Sequence, residues 1–256
     1  MDTPNQTPET ISTRWADLIP ADQWSVFCAG RDAAGKAGVP FLLGGAMALA
    51  AFTGRWHSTK DVDFIVRSGQ QHQLIATLLQ SGFTDYFERE AYDRSWIFRG
   101  WRDDVILDVI WALPNHRVTV DNAWFEHARP VTLRGEAYQT MPLEEFIRVK
   151  LYVMQRQRCD WVDVLNALAG SVERGNWEHL IARMGPDLPL LQAVLIIFAW
   201  MAPGRVNLIP PEVRGRFALP RIETTDPASM EARRVHLFDS RSWYAAFHPE
   251  DRPLER

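Results

Sequence analysis

Cysteine is scarce in this 256-residue chain: Cys28 and Cys159 are its only two, and they lie far apart. That argues against a disulfide framework and a cysteine-rich metal cage, and it fits a reducing, cytoplasmic setting. Long apolar runs are also few. The most apolar segment, Leu190 to Ala202 between Pro189 and Pro203, has thirteen residues. A bilayer-crossing helix needs roughly 20, so this one is expected to be a buried helix, and no membrane is expected as a partner. The opening "MDTPNQTPETISTRW" has neither the basic start nor the apolar core of a secretory signal. Positive charge is not in excess either, with 28 Lys and Arg against 32 Asp and Glu, a formal net charge of -4. Such a surface does not coat nucleic acid as a whole, although a local basic groove stays open. His57, His116 and His127 have no metal-ligand spacing, so a zinc site is unsupported. There is no internal repeat and no low-complexity tract.

What remains is ordinary globular composition, 46% hydrophobic and 23% charged. Residues 1–20 are polar and read as a flexible lead-in. Residues 21–138 carry mixed helix and strand patterns: a helix from Asp22 to Ala37, a strand in "VPFLLGG", a small-residue helix in "AMALAAF", and a strand in "DVDFIV". A helix in "QHQLIATLLQSG" follows, then strand-type runs "FTDYFE", "SWIFRG", "DVILDVIWAL" and "RPVTLRG". Residues 139–215 are helical in period, through "LEEFIRVKLYVMQRQ", "DWVDVLNALAGSVERG" and "WEHLIARMG". Residues 216–256 form a tail of uncertain order. The predicted class is α+β: a small mixed sheet with flanking helices, followed by an α-helical half. Of the eleven tryptophans, Trp111, Trp161, Trp177 and Trp200 sit in apolar patterns and are read as core.

One stretch stands out, "FLLGGAMALAAFTGRWHSTKDVDFIV", Phe41 to Val66. Alternation along a strand points Asp61 and Asp63 to one face and Val62 and Phe64 to the other. Two carboxylates on one face repel, and burying either without a partner costs several kcal/mol. A divalent cation removes both difficulties, and hard oxygen ligands suit Mg²⁺, with Mn²⁺ as a substitute. A third acid, Asp108, interrupts the apolar run "VILDVIW". If that strand pairs beside "DVDFIV", the three acids can hold two metals and clamp an in-line displacement at phosphorus. Gly44-Gly45, between strand and helix, lets backbone approach a ligand and exposes N–H groups at a helix start. The plainer readings are a solvated Asp-x-Asp edge and a tight glycine turn. Lys60 is either a phosphate contact or a solvated lysine, Lys150 a charge reaching the nucleotide or a stem packed along its helix, and Asp160 a ligand contact or a first-turn acid.

These residues together resemble the signature of the DNA polymerase β-like nucleotidyltransferase superfamily: a glycine pair opening a helix, an Asp-hydrophobic-Asp strand, and a later Asp in a hydrophobic strand. The likeness is closest to minimal nucleotidyltransferases, including the abortive-infection type IV toxin group, which share the small-residue helix and a Thr or Ser two positions before the first Asp, here Thr59. "PLEEFIRVKLYVMQRQRCDWVDVLNAL" is similar to that group's second motif, at Leu143-Glu144, Lys150, Arg158, Asp160 and Asp163. The resemblance covers residues 38–170. It implies a nucleoside triphosphate held through Mg²⁺ ions on Asp61, Asp63 and Asp108, which are also the catalytic residues. Phosphate or nucleotide contacts would come from Gly44, Gly45, Arg55, Thr59, Lys60, Lys150 and Asp160. The expected reaction moves a nucleotidyl group to a hydroxyl of RNA or tRNA, a protein or a small molecule, with release of pyrophosphate, in a toxin-type enzyme with a cognate antitoxin partner. The alternative is a non-catalytic nucleotide-sensing module on the same fold. Two departures are visible: Ala46 follows the glycines where many relatives offer a hydroxyl, and His57 stands where an arginine is often found, with Arg55 two residues earlier.

Overall fold

The computed structural model describes residues 14–220, 225–235 and 237. Pro20 starts α1, Ala21–Ala37, which ends at Gly38. The chain then runs through β1, Leu42–Leu43; α2, Gly45–Thr53; β2, Asp61–Ile65; and α3, Gln71–Gln80. Next come β3, Thr84–Asp85; β4, Ile97–Arg102; β5, Val105–Ile110; and α4, Asn122–Glu126. A hairpin of β6, Arg129–Leu133, and β7, Glu136–Thr140, leads into α5, Leu143–Leu151. The remaining helices are α6, Trp161–Ser171; α7, Trp177–Met184; α8, Leu188–Met201; α9, Pro211–Arg216; and α10, Pro227–Val235. The fold is α+β, as the sequence pattern indicates.

Seven strands form one sheet in the order β3-β4-β5-β2-β1-β7-β6. β2 runs parallel to β5 and β1 parallel to β7, and the other pairings are antiparallel. Alternation divides the two faces of the sheet. Val62, Phe64, Leu107 and Val109 join a cluster with Phe27 of α1 and Leu74 and Leu78 of α3. Leu42 and Ile65 belong to a second cluster with Phe52 of α2, Phe146 of α5, Leu165 of α6 and Phe198 of α8. The sheet is therefore a middle layer between α1 and α3 on one side and the later helices on the other. α2 lies close against α6, where a Cβ on Gly170 would come within 2.5 Å of the Phe52 carbonyl.

Several boundaries differ from the sequence expectation. The lead-in assigned to residues 1–20 ends sooner, because a 3-10 turn at Arg14–Leu18 anchors Trp15, and Ala16 and Ile19 are buried beside it. Residues 1–13 lie outside the described residues. "FTDYFE" supplies only the two-residue β3 before turning into a 3-10 helix at Tyr86–Glu88, capped by the Asp85 carboxylate. α5 stops at Leu151, and residues 152–160 form a loop closed by a bridge between Met154 and Cys159. β7 straddles the boundary drawn at residue 138, so the helical half begins with a sheet strand. The continuous helical run Trp177–Met201 is long and apolar enough to cross a membrane by length and composition. Gly185, at φ 52°, breaks it into α7 and α8, of 8 and 14 residues, each short of the roughly 20 needed. α8 buries Leu191, Val194, Leu195 and Phe198, while Trp200 is at the surface under Arg234 rather than in the core. In the tail, α10 is ordered and buries Val235. Residues 221–224, 236 and 238–256 lie outside the described residues.

Candidate active site

Pairing of β2 with β5 sets Asp63 directly beside Asp108. The antiparallel partner of β5 then sets Arg99 directly beside Asp108. Neighbouring residues in adjacent strands share a face, so Asp63, Asp108 and Arg99 form one charged row across three strands. Asp61 lies two residues before Asp63 on the same face. The next row in the other direction is wholly apolar: Ile65, Ile110 and Ile97. Both rows line one cavity of about 1030 Å³ between the sheet and α2, α5 and α6.

Asp108 is 2% exposed. Its Oδ2 accepts from Arg99 Nη2 at 3.2 Å, and its Oδ1 is buried without a hydrogen-bond partner. Burial, reinforced by Asp63, pushes the Asp108 carboxyl up to about 8, against the pull of Arg99. Asp63 keeps some surface as a residue, but its carboxyl is enclosed; burial and then Asp61 push it up to about 7. The donor set fits a divalent cation: three carboxylates on one face, two of them too costly to ionise together, and one buried oxygen lacking a partner. Among the described residues, no three Asp, Glu, His or Cys side chains are drawn in around a common metal-sized point. Arg99 takes one oxygen of Asp108.

Gly45, the first residue of α2, has φ 45°, and a Cβ there would run into Asp63 Oδ2. A Cβ on Gly44 would lie 2.8 Å from Ile65 Cδ1. The glycine pair therefore exists first to let the helix start meet β2. The Gly44 N–H is already spent on the Asp63 carbonyl at 3.0 Å. Gly45 and Ala46, at the helix N-terminus, line the cavity, where first-turn N–H groups lack helical acceptors. Thr59 donates its hydroxyl to Asp61 Oδ1, and the carbonyl of Thr59 accepts from the Gln23 side chain of α1. Thr59 thus orients a carboxylate. Lys60 is exposed, and neither it nor Arg55 nor Gly44 is among the cavity's lining residues.

On the opposite wall, Lys150 Nζ lies 2.7 Å from Asp160 Oδ2 and 2.8 Å from Asp163 Oδ2. Arg158 grips Asp160 with two hydrogen bonds, both of 2.8 Å. Asp160 therefore makes no N-cap bond to α6; its carboxylate bridges α5 and the loop. Burial alone would lower the Lys150 pKa, but Asp163 and Asp160 outweigh it and raise it. Burial likewise opposes ionisation of Asp160, yet Arg158 and Lys150 hold its carboxyl below the ordinary value. His57 also lines the cavity, and burial pushes its pKa down.

No protein-family model matches the chain, and no curated protein sequence does. Solved structures give fold-level likenesses. The antibiotic-resistance factor ANT(2'')-Ia is similar over 67% of this chain and 95% of its own, at 17% identity and a TM-score of 0.47. The lincosamide antibiotic adenylyltransferase LnuA is similar over 60% of this chain and 99% of its own, at 14% identity and a TM-score of 0.43. An antigenic nucleotidyltransferase-like protein from Paracoccidioides brasiliensis covers 68% of this chain and 92% of its own, at 12% and 0.38. Such values carry no residue correspondence, so the chemistry rests on the side chains themselves.

Sequence reasoning missed Arg99 and Gln23. Arg99 was readable in principle. A two-residue turn at Asp103-Asp104, both at positive φ, pairs Arg102 with Val105, and counting back three residues on each strand reaches Arg99 and Asp108.

Proposed function

We propose that the protein transfers a nucleotidyl group from a nucleoside triphosphate to a hydroxyl acceptor. One observation carries the proposal: the Asp63–Asp108 register, which sets a third carboxylate with an unpartnered oxygen beside the Asp-x-Asp pair and next to a helix N-terminus. Asp61, Asp63 and Asp108 would hold Mg²⁺. When bound, the metal neutralises these acids and withdraws negative charge from the phosphoryl group.

The chain's own residues supply position and charge. The first-turn N–H groups of Gly45 and Ala46 face the triphosphate, and Lys150 and Arg158, their charge balanced by Asp160 and Asp163, fix the opposite wall. The acceptor oxygen forms a bond to the α-phosphorus while the bond from that phosphorus to its bridging oxygen breaks, and pyrophosphate leaves with the electron pair. The hydroxyl proton passes to Asp108 in its ionised form. Covalent work by the protein is small, and most of the barrier reduction is positioning and charge neutralisation.

The test is transfer of label from each α-labelled nucleoside triphosphate, with Mg²⁺ and cell extract as acceptor source. Wild type should label an acceptor, and Asp63→Asn and Asp108→Asn should each lose at least about a hundredfold in rate while still unfolding cooperatively. Metal-dependent nucleotide binding without any transfer would leave a nucleotide-sensing module instead.

A further inference from the structure

Positive charge free to meet a triphosphate is scarce in the cavity. Among the described residues, the basic side chains that line it are His57, Lys150, Arg158 and Arg99. Burial disfavours the charged form of His57. Lys150 is shared between Asp160 and Asp163, and Arg158 is held twice by Asp160. Arg99 differs. Its guanidinium makes a single hydrogen bond among the described residues, from Nη2 to Asp108 Oδ2 at 3.2 Å, longer than the roughly 2.7–2.9 Å of a well-made ionic pair. Its side chain is 33% exposed, that of Asp108 only 3%. The backbone beneath it is pinned separately: the Arg99 N–H donates to the Tyr92 hydroxyl at 2.9 Å, and that hydroxyl donates to Asp85 Oδ1 at 2.9 Å. A fixed strand thus carries a loosely held, fork-shaped cation.

Resting on the nucleotidyl-transfer reading, we infer that Arg99 is a positioning residue with two successive partners. In the free protein it is the counter-ion of Asp108. When the acids take their cation it gives up that oxygen and grips two oxygens of the nucleotide's α-phosphate. The order of groups across the sheet selects that phosphate. The start of α2 abuts Asp63, Asp108 lies beside Asp63, and Arg99 lies beside Asp108 on the far side. The helix start takes the outer phosphates, and the phosphorus under attack lies by Asp108, which receives the acceptor's proton. Neighbouring strands are about 4.8 Å apart, so the guanidinium moves from carboxylate to phosphate by side-chain rotation alone.

The test uses the full chain and two binding measurements. Mn²⁺ affinity without nucleotide is read from the electron paramagnetic resonance of the free ion. Calorimetry with Mg²⁺ gives the affinity of an α,β-imido nucleoside triphosphate, which cannot transfer, and of inorganic pyrophosphate, which has no α-phosphate. The two affinities should move in opposite directions in Arg99→Gln. Mn²⁺ should bind about fivefold more tightly, because a competing, partly exposed ion pair is gone. The nucleotide analogue should bind at least about tenfold more weakly, the worth of a charge-assisted hydrogen bond, with pyrophosphate unchanged. Arg99→Lys keeps the charge and loses the fork, so its Mn²⁺ affinity should match wild type while the analogue stays weakened.

Weaker Mn²⁺ binding in Arg99→Gln would make Arg99 a support for Asp108 and overturn the inference. Unchanged analogue affinity, or equal loss of analogue and pyrophosphate, would also overturn it. Full recovery of the analogue in Arg99→Lys would overturn the two-oxygen grip. Arg99→Lys keeps a cation beside Asp108, so it carries the nucleotide arm even if Arg99→Gln fails to fold. A wild type that binds no analogue with Mg²⁺ loses the nucleotidyl-transfer reading as well, whereas one that binds it and is indifferent to Arg99 loses this inference alone.

Discussion

Asp63 has to satisfy two demands at once, a position in the interior of a sheet and a carboxylate in the middle of other carboxylates. Its pKa and that of Asp108 are both raised above the ordinary 3.8, to about 7 and about 8. The sign follows from linkage. Below about pH 4 folded and unfolded chains are both protonated at these sites, so no penalty arises. Above it the unfolded acids ionise while the folded ones keep their protons, so stability falls as pH rises until about 8 and then levels. Thermal denaturation between pH 5 and 8 should show that decline, and Asp108→Asn should flatten it. Addition of Mg²⁺ should raise the melting temperature more at pH 8 than at pH 5, because the ionised acids bind it. Gly45 gives a second residue-scale expectation. Alanine there adds about 1–2 kcal/mol of left-handed strain and displaces the Asp63 carboxylate. Gly45→Ala should therefore lose stability by at least that amount in urea titration and lose label transfer as well. The acids themselves were legible in the sequence because charge in an apolar strand is conspicuous. Trp200 misled because its neighbours are apolar, and only the orientation of α8 decides that it faces outward.

Elements were legible where period was long and illegible where pairing made them. α6 and α8 follow from spacing alone. β7, "EAYQT", has no apolar run, and it is a strand because β1 and β6 hold it on either side. α5 was read too long because its basic, glutamine-rich continuation is compatible with helix, whereas Arg158 and Lys150 draw the chain back onto Asp160. That cluster joins α5, α6 and their loop. Lys150→Met leaves Asp160 and Asp163 facing each other with little solvent, and should cost about 3 kcal/mol by chemical denaturation. The α2–α6 contact offers a harsher case. Gly170→Val would force the two helices apart at the Phe52 carbonyl, and should cost at least about 2 kcal/mol by the same measurement.

For the whole molecule, the sequence suggests a core and a helical half, while the packing joins them. Leu42, Phe52 and Ile65 share one cluster with Phe146, Leu165 and Phe198. Polar ties cross the same boundary: Glu144, 2% exposed, accepts from Arg129 of β6 at 3.0 Å, and the Ser171 hydroxyl donates to the Phe52 carbonyl at 2.7 Å. Calorimetry should show a single unfolding transition, and residues 139–215 expressed alone should lack cooperative unfolding by circular dichroism. Such sharing is invisible in a linear pattern, because each half of the cluster reads simply as hydrophobic.

The two rows of the sheet face also fix a length. Successive same-face positions on a strand are about 6.6 Å apart, and the step from Asp63 to Ile65 is one such interval. That pleat is a ruler built into β2 and β5. A compound whose reactive oxygen stands much nearer to its greasy part than this interval cannot set one against each row, however well its polarity matches.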